Sequence, residues 1–420
     1  MSLEVFASFC FGLAILHTFL VKHFQHLALR FPAGSPAENL LHLLGEVEIV
    51  FGVWAAIFLA YFYFSEGSAQ AIEYLQNRNF TEPVFVFVIM TVCSSKPILE
   101  LAESFIEIFS RIMPINKSTS FYWSTLVIGP LLGSFITEPA AMTVTALILL
   151  QRYYQKGISQ KLMYATIGLL FVNISIGGTL TPYAAPPVLM VAQKWNWDLV
   201  FMLTHFGWKA ALAVILTTSL VTFRFNKEIS KVKWELHKLS KSHRIPVWVG
   251  IVHLAFLFLI VASSHYMSVF IGLFMFFLGL VTVTKEYQSE LKIKEGLLVA
   301  FFLGGLVVLG GKQQWWLEPI LVSLDAVQMY LGAIGLTAFT DNAALTYLGS
   351  QVSSLTDVSK YALVAGSVVG GGLTVIANAP NPAGYGILNS SFGESGLSPF
   401  YIFVSAITPT LIAAVCFWYL

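Results

Sequence analysis

The chain has 420 residues, of which 57% are hydrophobic and 11% charged, with a formal net charge of +1 and a mean hydropathy of +0.76. Ordinary soluble domains are roughly 25% charged, so this composition specifies a polytopic membrane protein and leaves no room for a soluble domain between its apolar runs. The near-neutral charge gives no reason to expect a nucleic-acid partner, and Cys10, Cys93 and Cys416, isolated in apolar surroundings, offer neither a disulfide framework nor a thiolate metal site.

Apolar runs close to the roughly 20 residues that cross a bilayer predict spans near residues 3–21, 42–65 and 82–99. The first follows "MSLE", which lacks the basic start of a secretory signal, so it reads as a retained span. An amphipathic connector over 100–117 comes next. Residues 121–137 and 138–150 are then two short apolar segments meeting at Glu138-Pro139, a pattern that predicts a re-entrant hairpin over 121–150. A tip there is chemically reasonable, because Thr or Glu caps a new helix and Pro is tolerated at its first position.

Residues 162–192 read as a helix broken at "GGTLTPYAAPP", and 199–223 as a full span that closes the first half. The linker at 224–245 carries seven Lys/Arg, read as a cytoplasmic topology signal with anionic-lipid contact as a lesser use. The second half, 246–420, repeats the order. Spans are predicted over 246–263, 267–284 and 296–311, then a connector, a hairpin over 328–353 with Thr340, Asp341 and Asn342 at its tip, a broken helix over 358–389 and a last span over 399–420.

The repeat is legible residue by residue. "TEPAAMT" at 137–143 aligns with "TDNAALT" at 340–346 at an offset of 203, and "GGTLTPYAAPP" resembles "GGGLTVIANAP" at an offset of 193. A re-entrant hairpin adds no crossing, so each half has five crossings and the halves run in opposite directions, an inverted repeat. Loop charge supports this fold class. With the basic linker inside, cytoplasmic loops hold 17 Lys/Arg against four outside, Arg78, Lys194, Lys312 and Lys360, which places both termini outside.

A polar-tipped hairpin followed by a Gly-Gly break, occurring twice in inverted halves, resembles the ion transporter superfamily of citrate, dicarboxylate and arsenite carriers and sodium/proton antiporters. "TEPAA" and "TDNAA" are most similar to one group of sodium/proton antiporters within it. The resemblance implies a bacterial plasma-membrane homodimer. It also implies a scaffold from the first three spans of each half and a moving elevator of hairpins and broken helices. Carboxylate carriers of the superfamily have Ser-Asn-Thr type tips; Glu138 and Asp341 depart from that pattern and favour a cation.

Broken helices expose backbone carbonyls and N–H groups, tolerable at membrane depth only where they face protein or a wet cavity. Glu138 with Thr137, and Asp341 with Thr340 and Asn342, offer the hard oxygens that sodium takes. A carboxylate near the bilayer midplane costs roughly 2.5–3.5 kcal/mol on insertion scales, so it is usually functional or paired. Desolvated carboxylates in general take up protons more readily than those in water, which sets a proton in competition with a cation. Each acid also suits the N-terminus of its following half-helix, where the dipole favours negative charge.

Thr179, Thr181 and Thr374 in the breaks, with Asn173, Asn378 and Asn381, could supply ligands or equally bond the unwound backbone. Gly177, Gly178, Gly371 and Gly372 are expected to permit an unusual backbone, and Pro186, Pro187, Pro380 and Pro382 to stiffen the breaks. Glu46 and Glu48 fall in an apolar run at i and i+2, so at most one faces the pathway. Lys96 and Lys312, at matching places in the halves, either pair with an acid or anchor at the interface, and Lys209 is a weaker candidate partner. His17 and His253 have no second metal-like ligand at helical spacing and read as satisfied histidines.

Sodium/proton exchange is thus the leading reading, with sodium and the proton as carried ions and no organic cofactor. A sodium-coupled carrier of a small carboxylate is the alternative. An intramembrane hydrolase using the two acids as a dyad is a distant third, since alternating access explains an inverted repeat and hydrolysis does not.

Overall fold

The computed structural model describes residues 2–232 and 245–420, so residues 233–244 of the predicted basic linker lie outside the described residues. Every regular element described is helical. Six helices are long and apolar enough to cross a membrane, or seven if one bent pair counts as a single span.

The first half opens with α1 (Leu3–Ala28), α2 (Pro36–Leu44), α3 (Val50–Glu66) and α4 (Ser68–Gln76). The apolar run at 42–65 is therefore not one helix: it breaks at Gly45, passes a 3-10 turn at Val47–Ile49 and begins α3 only at Val50. Glu46 and Glu48 sit at that break rather than inside a span.

The predicted span at 82–99 is likewise divided. α5 (Thr81–Cys93) stops at Ser94-Ser95, and α6 (Lys96–Ile112) leaves at 70° with Pro97 in its first turn. The amphipathic connector is thus a helix that buries Ile98, Ala102 and Ile106 and turns Phe105, Ile108 and Ile112 outward. Then come α7 (Lys117–Ile136), α8 (Glu138–Arg152), α9 (Gln160–Gly177) and α10 (Pro186–Ala192). The half ends in α11 (Leu199–Met202), a π turn (Leu203–Gly207) and α12 (Trp208–Ile229), one continuous span of 31 residues, longer than the predicted 199–223.

The second half supplies α13 (Val247–Ala262), α14 (Met267–Val283), α15 (Ile293–Gly310), α16 (Gln314–Ser323), α17 (Ala326–Thr337) and α18 (Asn342–Ser350). It closes with α19 (Asp357–Gly370), α20 (Asn381–Asn389) and α21 (Pro399–Tyr419). Side chains fix many starts: Ser2, Ser35, Asn116, Ser159 and Asp198 each accept a hydrogen bond from a backbone N–H of the first turn they cap.

Contacts divide the chain into two units, each drawing on both sequence halves. The smaller comprises Met1–Phe87, Ile293–Asp325 and Tyr347–Thr356. In it α3 lies on α15, with the Gly305 Cα against the Phe51-Gly52 backbone. Such closeness is what small residues allow between helices that gain no hydrophobic drive from leaving lipid.

The larger unit comprises Val88–Lys292, Ala326–Thr346 and Asp357–Leu420. Here Gly129 faces Thr145 and Gly133 faces Ala141, pairs centred on Thr137, so α7 and α8 form an antiparallel helical hairpin. Asp341 is the last of the four residues between α17 and α18, and Asn342 opens α18, but α17 packs mainly along α19. α9 lies at the centre of this unit, packed by α7, α8, α12, α19, α20 and α21.

Adding a methyl at Gly305 would force it into the backbone of α3, whereas Gly272 has nothing within 4 Å of its would-be Cβ. Gly305→Ala should therefore cost about 1–3 kcal/mol. Gly272→Ala should be neutral or slightly stabilising through helix propensity. Thermal unfolding of both variants in detergent checks the contrast.

Candidate ion-binding site

The hairpin reverses at one residue. Thr137 has φ 71° and ψ 151°, a region nearly reserved for glycine that costs about 1–3 kcal/mol and is rare for a β-branched residue. With the reversal complete there, α8 begins at Glu138 and Pro139 takes a first-turn position.

Glu138 is 0% exposed. Its Oε2 accepts a hydrogen bond of 2.8 Å from Asn378 Nδ2, 240 residues away. Its Oε1 has no partner. The carboxyl packs against Gly178, where any Cβ would overlap Oε1 and come within 2.6 Å of the glutamate Cγ.

Asn378 belongs to the irregular segment between α19 and α20, and the same segment holds the other polar tip. Ala377 O accepts the N–H of Asn342 at 3.1 Å. Asn381 Nδ2 donates to Gly371 O and Thr374 O, each at 2.8 Å, and Thr374 Oγ1 donates to Ala338 O at 2.9 Å. Two adjacent residues, Ala377 and Asn378, thus bond one to each tip.

The breaks also touch each other. Gly371 lies against Ser175 Oγ and Asn342 Nδ2, and Gly372 against the Val172 backbone. None of Gly177, Gly178, Gly371 and Gly372 has positive φ, so the expectation of an unusual backbone is corrected: these positions are glycine because something else occupies the space of a side chain. Gly177, for example, would place a Cβ 2.7 Å from Pro130 O. Pro186 and Pro187 open α10, while Pro380 and Pro382 flank the start of α20, positions where a missing N–H costs nothing.

Six buried polar atoms on the two tips and the segment between α19 and α20 have no partner among the described residues: Thr137 Oγ1, Glu138 Oε1, Asn342 Oδ1 and Nδ2, Asn378 Oδ1 and Asn381 Oδ1. A buried polar atom left unpaired costs about 1–3 kcal/mol, and native proteins hold few of them. Five of the six are oxygens, one from a carboxylate, three from amides and one from a hydroxyl. That is the donor chemistry a small hard cation takes in place of its hydration shell.

The two acids are not equivalent. Asp341, half-buried, accepts from the N–H groups of Ala343 and Ala344 at 2.8 and 3.1 Å, capping α18, and Thr340 Oγ1 donates to Leu336 O. Glu138 makes no such cap and reaches across to Asn378.

Other predicted ligands are spent on the backbone. Thr179 Oγ1 donates to Ile176 O at 2.7 Å and Thr181 Oγ1 to Ser134 O at 2.6 Å. Asn173 donates to Leu126 O and Thr218 Oγ1 and accepts from Thr217 Oγ1, tying α9 to α7 and α12. The sequence reading missed Ser134, whose hydroxyl donates to Gly177 O and accepts from Leu180 N–H, so that it clamps the hairpin to the break. The signal was present: one turn before Glu138 stands Ser134, and at the offset of 203 stands another buried hydroxyl, Thr337.

Glu46, Glu48 and Lys312 belong to the smaller unit, where the Lys312 ammonium lies over the Tyr74 ring at 5.4 Å. Lys96 lies 3.7 Å from Glu100 on α6, and Lys209 donates to Tyr361 Oη at 2.8 Å. His17 is bonded to Leu44 O and Trp54 Nε1, and His253 to Val249 O and Gln288 Nε2. Among the described residues no group of three His, Cys, Asp or Glu could hold a metal ion.

A family profile described as "Putative Na+/H+ antiporter" matches residues 2–420. Among curated proteins none matches the chain.

Removing the Asn378 amide should destabilise the protein through Glu138. Asn378→Ala is expected to cost about 1–3 kcal/mol. In a Glu138→Leu background the same change should cost at least about 0.5 kcal/mol less, a coupling read from a double-mutant cycle of thermal unfolding in detergent.

Proposed function

The chain belongs to this family of Na+/H+ antiporters, and from that premise we propose that it exchanges sodium, or a similar small monovalent cation, for protons at the site around Glu138. The observation that carries this reading is a set of buried, unpartnered oxygens on the two polar tips and on the segment between α19 and α20 that bonds to both, with a half-bonded carboxylate among them.

Glu138 Oε1 is the atom on which exchange turns. When the carboxylate is ionised, this oxygen offers lone pairs to a cation. When a proton arrives, it takes the same oxygen and removes the charge that held the cation. The Asn378 amide stays on Oε2 in either state and keeps the side chain oriented. Thr137, Asn342, Asn378 and Asn381 would complete the ligand set with neutral oxygens, so the site changes charge through Glu138 alone. The Asp341 carboxylate meanwhile stays engaged as the cap of α18.

In this reading each half of the chain is one member of an inverted repeat, and the α7–α8 hairpin enters the membrane without crossing it. Both termini then lie outside and the basic linker is cytoplasmic, as the Lys/Arg distribution indicates. The hairpin, the breaks and their bound ion move as an elevator against a scaffold, in a homodimer of a bacterial plasma membrane. Two access states of one site, open to opposite sides of the membrane, are what an inverted repeat supplies, which a hydrolase would not need. Asp341 is also engaged by N–H groups and makes a poor second member of a catalytic dyad.

The test is dequenching of a pH-sensitive dye when sodium is added to acid-loaded proteoliposomes. Wild type should respond. Glu138→Gln should abolish the response, and Asp341→Asn, which keeps a cap, should weaken it without unfolding the protein. A wild type silent to sodium, lithium and potassium alike would overturn antiport and turn attention to uptake of a small carboxylate.

A further inference from the structure

A groove of about 690 Å³ runs between α12 and α21, over the N-terminal half of α9. Its walls are apolar, with Leu220, Val221, Val404, Pro409 and Ile412 among them, and its polar lining includes two cations, Lys161 and Arg224. Among the described residues no carboxylate lines it. Both cations are exposed, and neither is bonded to an acid among the described residues. The nearby Glu228, one turn beyond Arg224, is occupied by the N–H and hydroxyl of Ser159.

The chemistry is that of an amphiphile with a negative head. Leu220, Tyr401 and Val404 are 45–56% exposed, and α12 and α21 are both spans whose outer faces are open, so the groove opens on surface that meets acyl chains. Two cations at one end of an apolar furrow between spans match a phosphate-bearing headgroup above its chains. A soluble anion would be served by the cations but not by the furrow; a neutral lipid would be served by the furrow but not by the cations.

We propose that this groove binds one anionic phospholipid, its phosphate on Lys161 and Arg224 and an acyl chain along α12 and α21. The floor of the groove gives the lipid a structural hold. It includes Thr217, whose hydroxyl bonds Asn173 of α9, and Ser405, which packs against Gly168 of the same helix. An occupied groove therefore braces the helix whose far end, at Gly178, backs the Glu138 carboxyl.

Thermal unfolding of the full chain in detergent tests this, because a ligand that binds the folded state raises Tm. Phosphatidylglycerol should raise it, and phosphatidylcholine or inorganic phosphate should not. The shift should vanish in the Lys161→Gln/Arg224→Gln double variant and persist in Lys227→Gln, whose charge lies on α12 outside the groove. Should the double variant fail to fold, Leu220→Trp blocks the furrow while keeping both cations and should also lose the shift. A shift retained in these groove variants, or matched by inorganic phosphate, would overturn the proposal. So would a Tm that rises with protein concentration instead of with lipid, which would assign the groove to a second copy of the chain.

Discussion

A carboxylate enclosed by protein needs partners that water can no longer provide, and much of the larger unit is arranged around meeting that need for Glu138. One oxygen is met by Asn378, which requires the segment between α19 and α20 to lie unwound beside the tip of the α7–α8 hairpin. Unwinding exposes the carbonyls of Gly371, Thr374 and Ala377, which in turn must be met by Asn381 and by the N–H of Asn342. Glycine at 178 then clears the room that the carboxyl occupies. Each step satisfies an atom that the previous one released, and the sequence of debts ends at a few oxygens that no protein group meets.

Much of this could be read before any coordinates. Composition and apolar periodicity indicated a membrane-embedded helical chain, and the doubled "TEPAA" and "TDNAA" pointed to residues that do bond to a common segment. The location of the breaks was also legible, because Gly-Gly and Pro-Pro leave few alternatives to an interrupted helix. What single-sequence reading could not reach was direction. It treated Glu138 and Asp341 as equivalent, yet one faces Asn378 and the other turns back to its own helix. A hydrogen bond spanning 240 residues has no local sequence signature.

The glycines show the same limit in another form. A glycine can serve the backbone or the neighbour, and sequence cannot distinguish these. At 177, 178, 371 and 372 the backbone angles ask for nothing special, and the neighbours decide. The divided runs at 42–65 and 82–99 mislead for a related reason: hydropathy averages over a window and passes smoothly across Gly45 or Ser94-Ser95, where the helix itself stops.

Thr137 carries a last implication. Glycine would adopt φ 71° and ψ 151° freely, and the chain uses glycine readily wherever space is short. A β-branched residue in that conformation has few rotamers, so its hydroxyl points in a fixed direction instead of searching for one. Ion discrimination by radius depends on oxygens that do not follow the ion inward. In the exchange proposed above, a stiff, strained threonine beside the carboxylate would form a fixed edge of the site, against which a cation smaller or larger than the preferred one would fit less well.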